Sequence, residues 1–293
     1  MSQQTEQIFN QYRWLLFSIA YRMLGSATDA EDIVQEAFLR WLQADEEEVQ
    51  SPRAYLSTVV VRLCIDQLRS AKVQREIYVG PWLPEPIPIG QYQELSERAV
   101  LTESLSFAFL VMLESLGPLE RAVFLLREVF DYDYAEIAAI VGKSEANCRQ
   151  ALHRAHQHLG QHHPRFDVSR EQQERITSKF LHACTNGDMQ GLLNLLTDDI
   201  VFTGDGGGKA QTGIRPVHGA DKVVRGVLGG LSKWLLPGVR ARIEEINGQP
   251  AIVGYLNDRP YGVVILDIEG ERVRRIYMVV NPDKLHWLDT LSK

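Results

Sequence analysis

Between Ile8 and Leu24 apolar residues recur at helical spacing, through Phe9, Leu16, Ile19 and Met23, and predict a first amphipathic helix. Thr28-Asp-Ala-Glu31 reads as a capping box that opens a second helix. That helix has Ile33, Ala37 and Trp41 on one side, with Val34, Phe38 and Leu42 beside them. A polar loop from Ala44 to Gln50 follows, and Pro52 suits the first turn of a third helix. There Leu56, Val59, Val60, Leu63 and Leu68 form the apolar side, while Arg62, Arg69, Lys72 and Arg75 form a basic edge. Further on, a short helix ends at Gly142, Ser144 is an N-cap, and a second helix runs to Leu159. Cys148, Leu152, Ala155 and Leu159 are its buried stripe, leaving Arg149, Gln150, His153 and Arg154 outside.

Past residue 166 the pattern changes. Helices are predicted over Ser169–Thr185, Met189–Leu196 and Asp221–Leu235. Four strands follow, at Val239–Ile246, Ala251–Leu256, Tyr261–Ile268 and Arg272–Val280, with Asn247-Gly248 and Glu269-Gly270 as hairpin signals. Six of the 22 glycines precede residue 166 and sixteen follow it, which fits a helical half and a half of turns and sheet. Pro81-Trp-Leu-Pro84-Glu-Pro86-Ile-Pro88 carries four of the twelve prolines and predicts an extended linker inside the helical half.

At 293 residues, 45% hydrophobic and 24% charged, the chain is long enough for several cores and is not disordered overall. Its three scattered cysteines exclude a disulfide framework and a CxxC zinc site. No basic, apolar leader and no apolar run of membrane length is visible, so a cytoplasmic chain with no membrane partner is expected. The net charge of −7 hides a segregation of sign. Asp29–Glu48 holds eight acids and one base, Arg53–Arg75 five bases and one acid, and Lys143–Arg165 four bases, one acid and five of the eight histidines. One acidic and two basic surfaces call for more than one electrostatic partner.

The helix pair ending at Leu159 has helix-turn-helix spacing, whose second helix enters a major groove, and Arg and Gln suit guanine and adenine edges. Two helices with a solvated cationic face have the same spacing. Taken together, however, the stretches from Tyr21 to Trp41, Ser51 to Arg69, Leu116 to Leu125 and Leu152 to Ala155 resemble, in order and spacing, the extracytoplasmic-function sigma factors of bacterial RNA polymerase. Trp82-Leu-Pro-Glu-Pro86, Asp205-Gly-Gly-Gly-Lys209 and Asn281-Pro-Asp-Lys-Leu285 are similar to three motifs of the subgroup with a fused SnoaL-like, nuclear-transport-factor-like domain.

The resemblance implies two all-α sigma domains at residues 1–78 and 91–165 and a Pro-rich linker at 79–90. A C-terminal α+β cone with a curved antiparallel sheet is expected at 166–293. It implies promoter DNA and the RNA polymerase core as partners. Asp29, Asp32, Gln35, Glu36 and Trp41 are expected to dock on the basic coiled coil of the polymerase clamp. Arg53, Tyr55, Arg62, Arg69 and Lys72 are expected at the minus-ten element, with the cations on phosphate and Tyr55 as a stacking platform. Arg149, Gln150, His153 and Arg154 are expected at the minus-thirty-five element. Ala44–Gln50 is expected near the flipped non-template base. Its acidic run Asp45–Glu48 departs from the pattern and leaves base readout there open.

The remaining motifs are expected to work within the chain. Trp82 and Leu83, the turn Asp205, Gly206, Gly207, Gly208 and Lys209, and Asn281, Pro282 and Asp283 are expected to clamp the linker to the cone, with Lys209 meeting Glu85. The glycine run is not a P-loop, because Thr203 stands where glycine is needed and Ala210 where Ser or Thr is needed. No metal, cofactor or catalytic residue is expected, and the histidines read as solvated or phosphate-facing. The cone is left open to a small ligand. The alternative is a small-molecule enzyme or sensor fused to a helix-turn-helix, with Asp205, His218 and Tyr261 at the cone mouth.

Overall fold

A computed structural model describes residues 3–44, 49–76, 78–88, 106–160, 168–234 and 238–292. The chain divides into two compact units, Met1–Glu76 with Phe109–His163, and Ile77–Ala108 with Pro164–Lys293. The linker thus belongs to the C-terminal unit, and the two helical segments on either side of it form one body.

In the first unit α1 (Gln3–Leu24), α2 (Ala27–Gln43) and α3 (Pro52–Glu76) pack on one another. Gly25, at φ 68°, ends α1 and leaves Ser26 extended, so the Ser26 hydroxyl accepts from the Asp29 amide at 3.1 Å and caps α2. The expected cap, Thr28, already lies inside the helix, and Glu31 turns instead to Arg13 at 3.0 Å. The division between the units crosses α4 (Phe107–Leu113) after Ala108, so that Phe107 and Ala108 belong to the second unit, and in the first unit α5 (Pro118–Phe124) runs on as a π-helical turn to Val129. Then come α6 (Tyr134–Val141) and α7 (Glu145–Leu159). Between them Gly142 takes φ 66° and the Ser144 hydroxyl accepts from the Asn147 amide, as expected for this helix pair. Cys148, Leu152, Ala155 and Leu159 are buried.

Two arginines fasten this unit from inside. Arg22, almost fully buried, donates to the Ser18 carbonyl and lies over the Phe130 ring, and burial lowers its pKa to about 9. Arg121, equally buried, donates to the Met23 carbonyl at 2.6 Å and to Glu114 at 2.7 Å.

The second unit has α8 (Arg170–Asn186), α9 (Met189–Leu195), β1 (Leu196–Asp205), β2 (Val217–His218) and α10 (Ala220–Trp234). Strands β3 (Arg240–Ile246), β4 (Gln249–Leu256), β5 (Arg259–Glu269) and β6 (Arg272–Val279) complete a sheet of order β2-β1-β6-β5-β4-β3. The last four strands lie where the alternation puts them. The sheet is mixed rather than antiparallel, because β1 inserts parallel to β6. Its signal is masked by Asp198-Asp199 and by a register shift between Leu196 and Val201. Phe180, Leu192, Ile200, Val223, Leu266 and Ile276 are among the residues that join helices and sheet in one apolar core. Among the described residues no helix is long and apolar enough to cross a membrane.

Candidate functional site

The expected surfaces of the first unit are partly available and partly spent on folding. Asp32 and Gln35 are exposed on α2, Asp29 is half-buried in its first turn, and Glu36 pairs with Arg40 at 2.9 Å. Trp41 departs from expectation. It is 2% exposed and its indole N–H donates to the Thr5 carbonyl, so it fixes α2 to α1 and offers no surface to a partner. Asp45–Glu48 lies outside the described residues.

On α3, Arg53 sits over the Tyr132 ring and Tyr55 is half-buried against Trp41. Arg62 donates to the Ala139 and Ile140 carbonyls at 3.1 and 2.9 Å, closing the C-terminal end of α6. It is a strut between helices rather than a free phosphate contact, because helix-terminal carbonyls attract a cation. Arg69 pairs with Asp66 in solvent, and the side chain of Lys72 lies outside the described residues.

On α7, Arg149 is held by Glu145 at 2.9 Å and stacks over Tyr134, its carbon 4.4 Å from the ring centre. Gln150 is exposed, and His153 meets Gln157. Arg154 and His158 share Glu120, each at 3.1 Å. These side chains form one exposed, hydrogen-bond-rich helix face.

In the second unit the three linker and cone motifs meet at one carboxylate. Asp205, at the end of β1, is 1% exposed. Its Oδ1 accepts from the Tyr78 hydroxyl at 2.6 Å and the Gly207 amide at 3.1 Å. Its Oδ2 accepts from the Leu83 amide at 2.8 Å and the Lys284 ammonium at 2.7 Å. Lys284 also donates to the Leu83 carbonyl and lies 4.0 Å from the centre of the Trp82 ring. So both backbone groups of Leu83 are held, while its side chain is buried at 1% exposure. The Tyr78 hydroxyl also accepts from Asn281 at 2.9 Å. Burial and the bond to Asp205 push its pKa above the usual phenol range.

The turn chemistry explains the glycines. Gly207 and Gly208 take φ 58° and 72°, and a Cβ on Gly207 would stand 2.3 Å from the Asn281 amide nitrogen. Gly206 closes the turn by accepting from the Lys209 and Ala210 amides, and a Cβ there would strike the Ala210 carbonyl. Lys209 does not meet Glu85, which is buried in the linker; it pairs with Asp283. Asn281 over Gly207 brings the Pro282 turn to the lysine. Farther along, the Ile87 amide and carbonyl exchange hydrogen bonds with Asn247. Tyr78, Lys284 and Asn247 escape sequence reasoning as site residues. Only the Lys in Asn281–Leu285 carries a signal, being an unexplained charge among turn-forming and apolar neighbours.

The cone holds a cavity of about 750 Å³ between α8, α10 and the sheet. Tyr261 lines it, whereas Asp205 and His218 do not, so the expected acid–base trio is not brought together. Among the described residues that line it, none is Asp, Glu or His.

Residues 8–73 match the family described as Sigma-70 region 2, and residues 106–159 match Sigma-70, region 4. The chain is 37% identical to the ECF RNA polymerase sigma factor SigJ of Mycobacterium tuberculosis H37Rv over 94% of its length and 91% of that protein. It is 34% identical to the probable ECF sigma factor SigI of the same organism, over 94% and 92%. The crystal structure of M. tuberculosis SigJ superposes with a TM-score of 0.76, at 34% identity, covering 94% of this chain and 96% of that one.

Proposed function

The chain belongs to the extracytoplasmic-function (ECF) RNA polymerase sigma factors, and on that premise we propose that its C-terminal cone governs promoter use by gripping the linker. Its function is promoter-specific initiation of transcription with RNA polymerase. The observation that carries the finer reading is the Asp205 carboxylate bonded to the Leu83 amide while Lys284 holds the Leu83 carbonyl. Gripping a preformed extended chain by its backbone loses little entropy. The linker joins the segments matching regions 2 and 4, so its constraint bears on how the two read one promoter.

In this reading the exposed acids of α2 meet the polymerase clamp, and Arg53, Tyr55, Arg69 and Lys72 meet the separated minus-ten strand. The α7 face, Arg149, Gln150, His153 and Arg154, reads the minus-thirty-five element. In this reading the cone acts on the linker rather than on a substrate, with the Asp205 carboxylate saturated by four donors, the Leu83 amide among them.

Run-off transcription with purified core polymerase tests the reading. The parent chain is expected to give promoter-dependent transcripts, and Trp82→Ala to change their yield with the fold retained by circular dichroism. An unchanged yield with Trp82→Ala and Asp205→Asn alike would refute control through the linker.

A further inference from the structure

The cone cavity has room, an apolar wall and an electrostatic bias, and together these define a ligand. Its volume of about 750 Å³ falls in the range that encloses a drug-sized molecule. Phe180, Phe202, Val227, Ile252, Val264 and Ile276 supply much of the wall. Among the described residues lining it, the charged ones are Lys209 and Lys222. Lys209 is already paired with Asp283. Lys222 is exposed in the first turn of α10, where the helix dipole also favours an anion.

The room is preserved at a cost. Gly226 and Gly230 lie one turn apart on α10 and both line the cavity. A Cβ added to either would meet nothing within 4 Å. Glycine inside a helix costs stability relative to alanine. At these two positions no steric conflict demands it, so an open cavity is what the glycines provide.

We propose that the cavity is a binding site for a lipophilic monocarboxylate of fatty-acid type, its chain against the apolar wall and its carboxylate at Lys222. The same wall includes Lys209, Pro282 and Leu285. The cavity therefore reaches both turns that hold the linker, and binding there is expected to couple to transcription; this consequence rests on the linker reading above.

Titration of the full chain with dodecanoate below its micellar range, followed by calorimetry, tests the site. Saturable one-to-one binding is expected, at least tenfold tighter than for dodecanol or dodecyltrimethylammonium. Gly226→Leu with Gly230→Leu fills the space with better helix formers and is expected to abolish binding while raising Tm. Lys222→Glu is expected to weaken dodecanoate at least tenfold and to leave dodecanol unchanged. No saturable binding, or binding that the leucine pair leaves intact, overturns the site; equal affinity for acid and alcohol overturns the assigned class. Saturating dodecanoate is expected to shift the transcript yield of the parent and not of the leucine pair. Binding with unchanged transcription overturns the coupling alone and leaves the site standing.

Discussion

The ammonium of Lys284 lies 2.7 Å from the carboxylate of Asp205, and both side chains are almost wholly removed from solvent. A buried pair of this kind is not by itself a large stabiliser, because desolvating two charges offsets their attraction. Breaking it from one side is another matter. Asp205→Asn leaves the Lys284 charge buried against a neutral partner and is expected to cost about 3–5 kcal/mol in urea unfolding. Asp205→Asn with Lys284→Met removes both charges and is expected to recover a large part of that loss. A single-variant cost below about 1 kcal/mol would show that the pair is solvated in solution.

The glycine turn permits a sharper comparison. Gly207 and Gly208 both have positive φ, so alanine at either carries the left-handed penalty of about 1–2 kcal/mol. Only at Gly207 does the new Cβ also collide with the Asn281 amide, at 2.3 Å; at Gly208 it meets the Val79 side chain at 3.2 Å. Gly207→Ala is therefore expected to be the more destabilising by about 1–3 kcal/mol, the usual cost of overpacking. It is also expected to be the one that alters run-off yield. Equal thermal shifts for the two variants would mean that Asn281 moves aside freely.

What the sequence makes legible follows from signal length. The helix pair around Gly142 and Ser144 is announced by caps and a four-residue stripe, and the last four strands by alternation between turn dipeptides. Strand β1 escapes because two aspartates and a register shift interrupt its pattern, and β2 because two residues hold no period. The motifs around Trp82, Asp205 and Asn281 point to a linker contact, but not to Asp205 as its centre. Which carboxylate accepts from which amide is decided by tertiary approach across more than a hundred residues, as in Leu83 to Asp205. Trp41 and Arg62 mislead for a related reason. An aromatic or a cation on a helix reads alike whether it meets a partner or its own chain, and here Thr5 and Ile140 take them.

On α7, Arg149 is exposed and its guanidinium is preorganised over Tyr134. Arg149→Ala is expected to weaken discrimination at one upstream base pair by about 1–3 kcal/mol in competitive promoter binding of the holoenzyme. Its effect on stability should stay within about 0.5 kcal/mol, since an exposed i,i+4 pair contributes little. A loss spread evenly over all upstream sequences would assign Arg149 to phosphate instead.

For α2, Asp32 is exposed and Glu36 pairs with Arg40 on the same helix face. Reversing both to Lys is expected to abolish core-polymerase binding in a pull-down with purified core while leaving the circular dichroism melt unchanged. Full binding by the doubly reversed chain would remove this face as the docking surface.

The cone carries its own alkaline limit. Burial pushes the Tyr277 phenol up to about 12 and the Cys184 thiol also to about 12, and raises Tyr255 and Tyr78 in the same direction. Each group stays protonated in the folded state after the unfolded chain has begun to ionise. The folded state then binds more protons, and stability falls as pH rises. For Tyr277 the window opens near the ordinary phenol value of 10 and closes near 12, two pH units that correspond to about 3 kcal/mol. Urea midpoints measured from pH 8 to 11.5 are expected to hold steady at first and then drop. Tyr277→Phe keeps the ring that packs against Phe107, with centroids 5.5 Å apart, and removes only the ionisable hydroxyl. It is expected to shrink the alkaline drop without erasing it, because Cys184, Tyr78 and Tyr255 remain. An identical drop in parent and variant would mean that the Tyr277 hydroxyl reaches water in the folded chain.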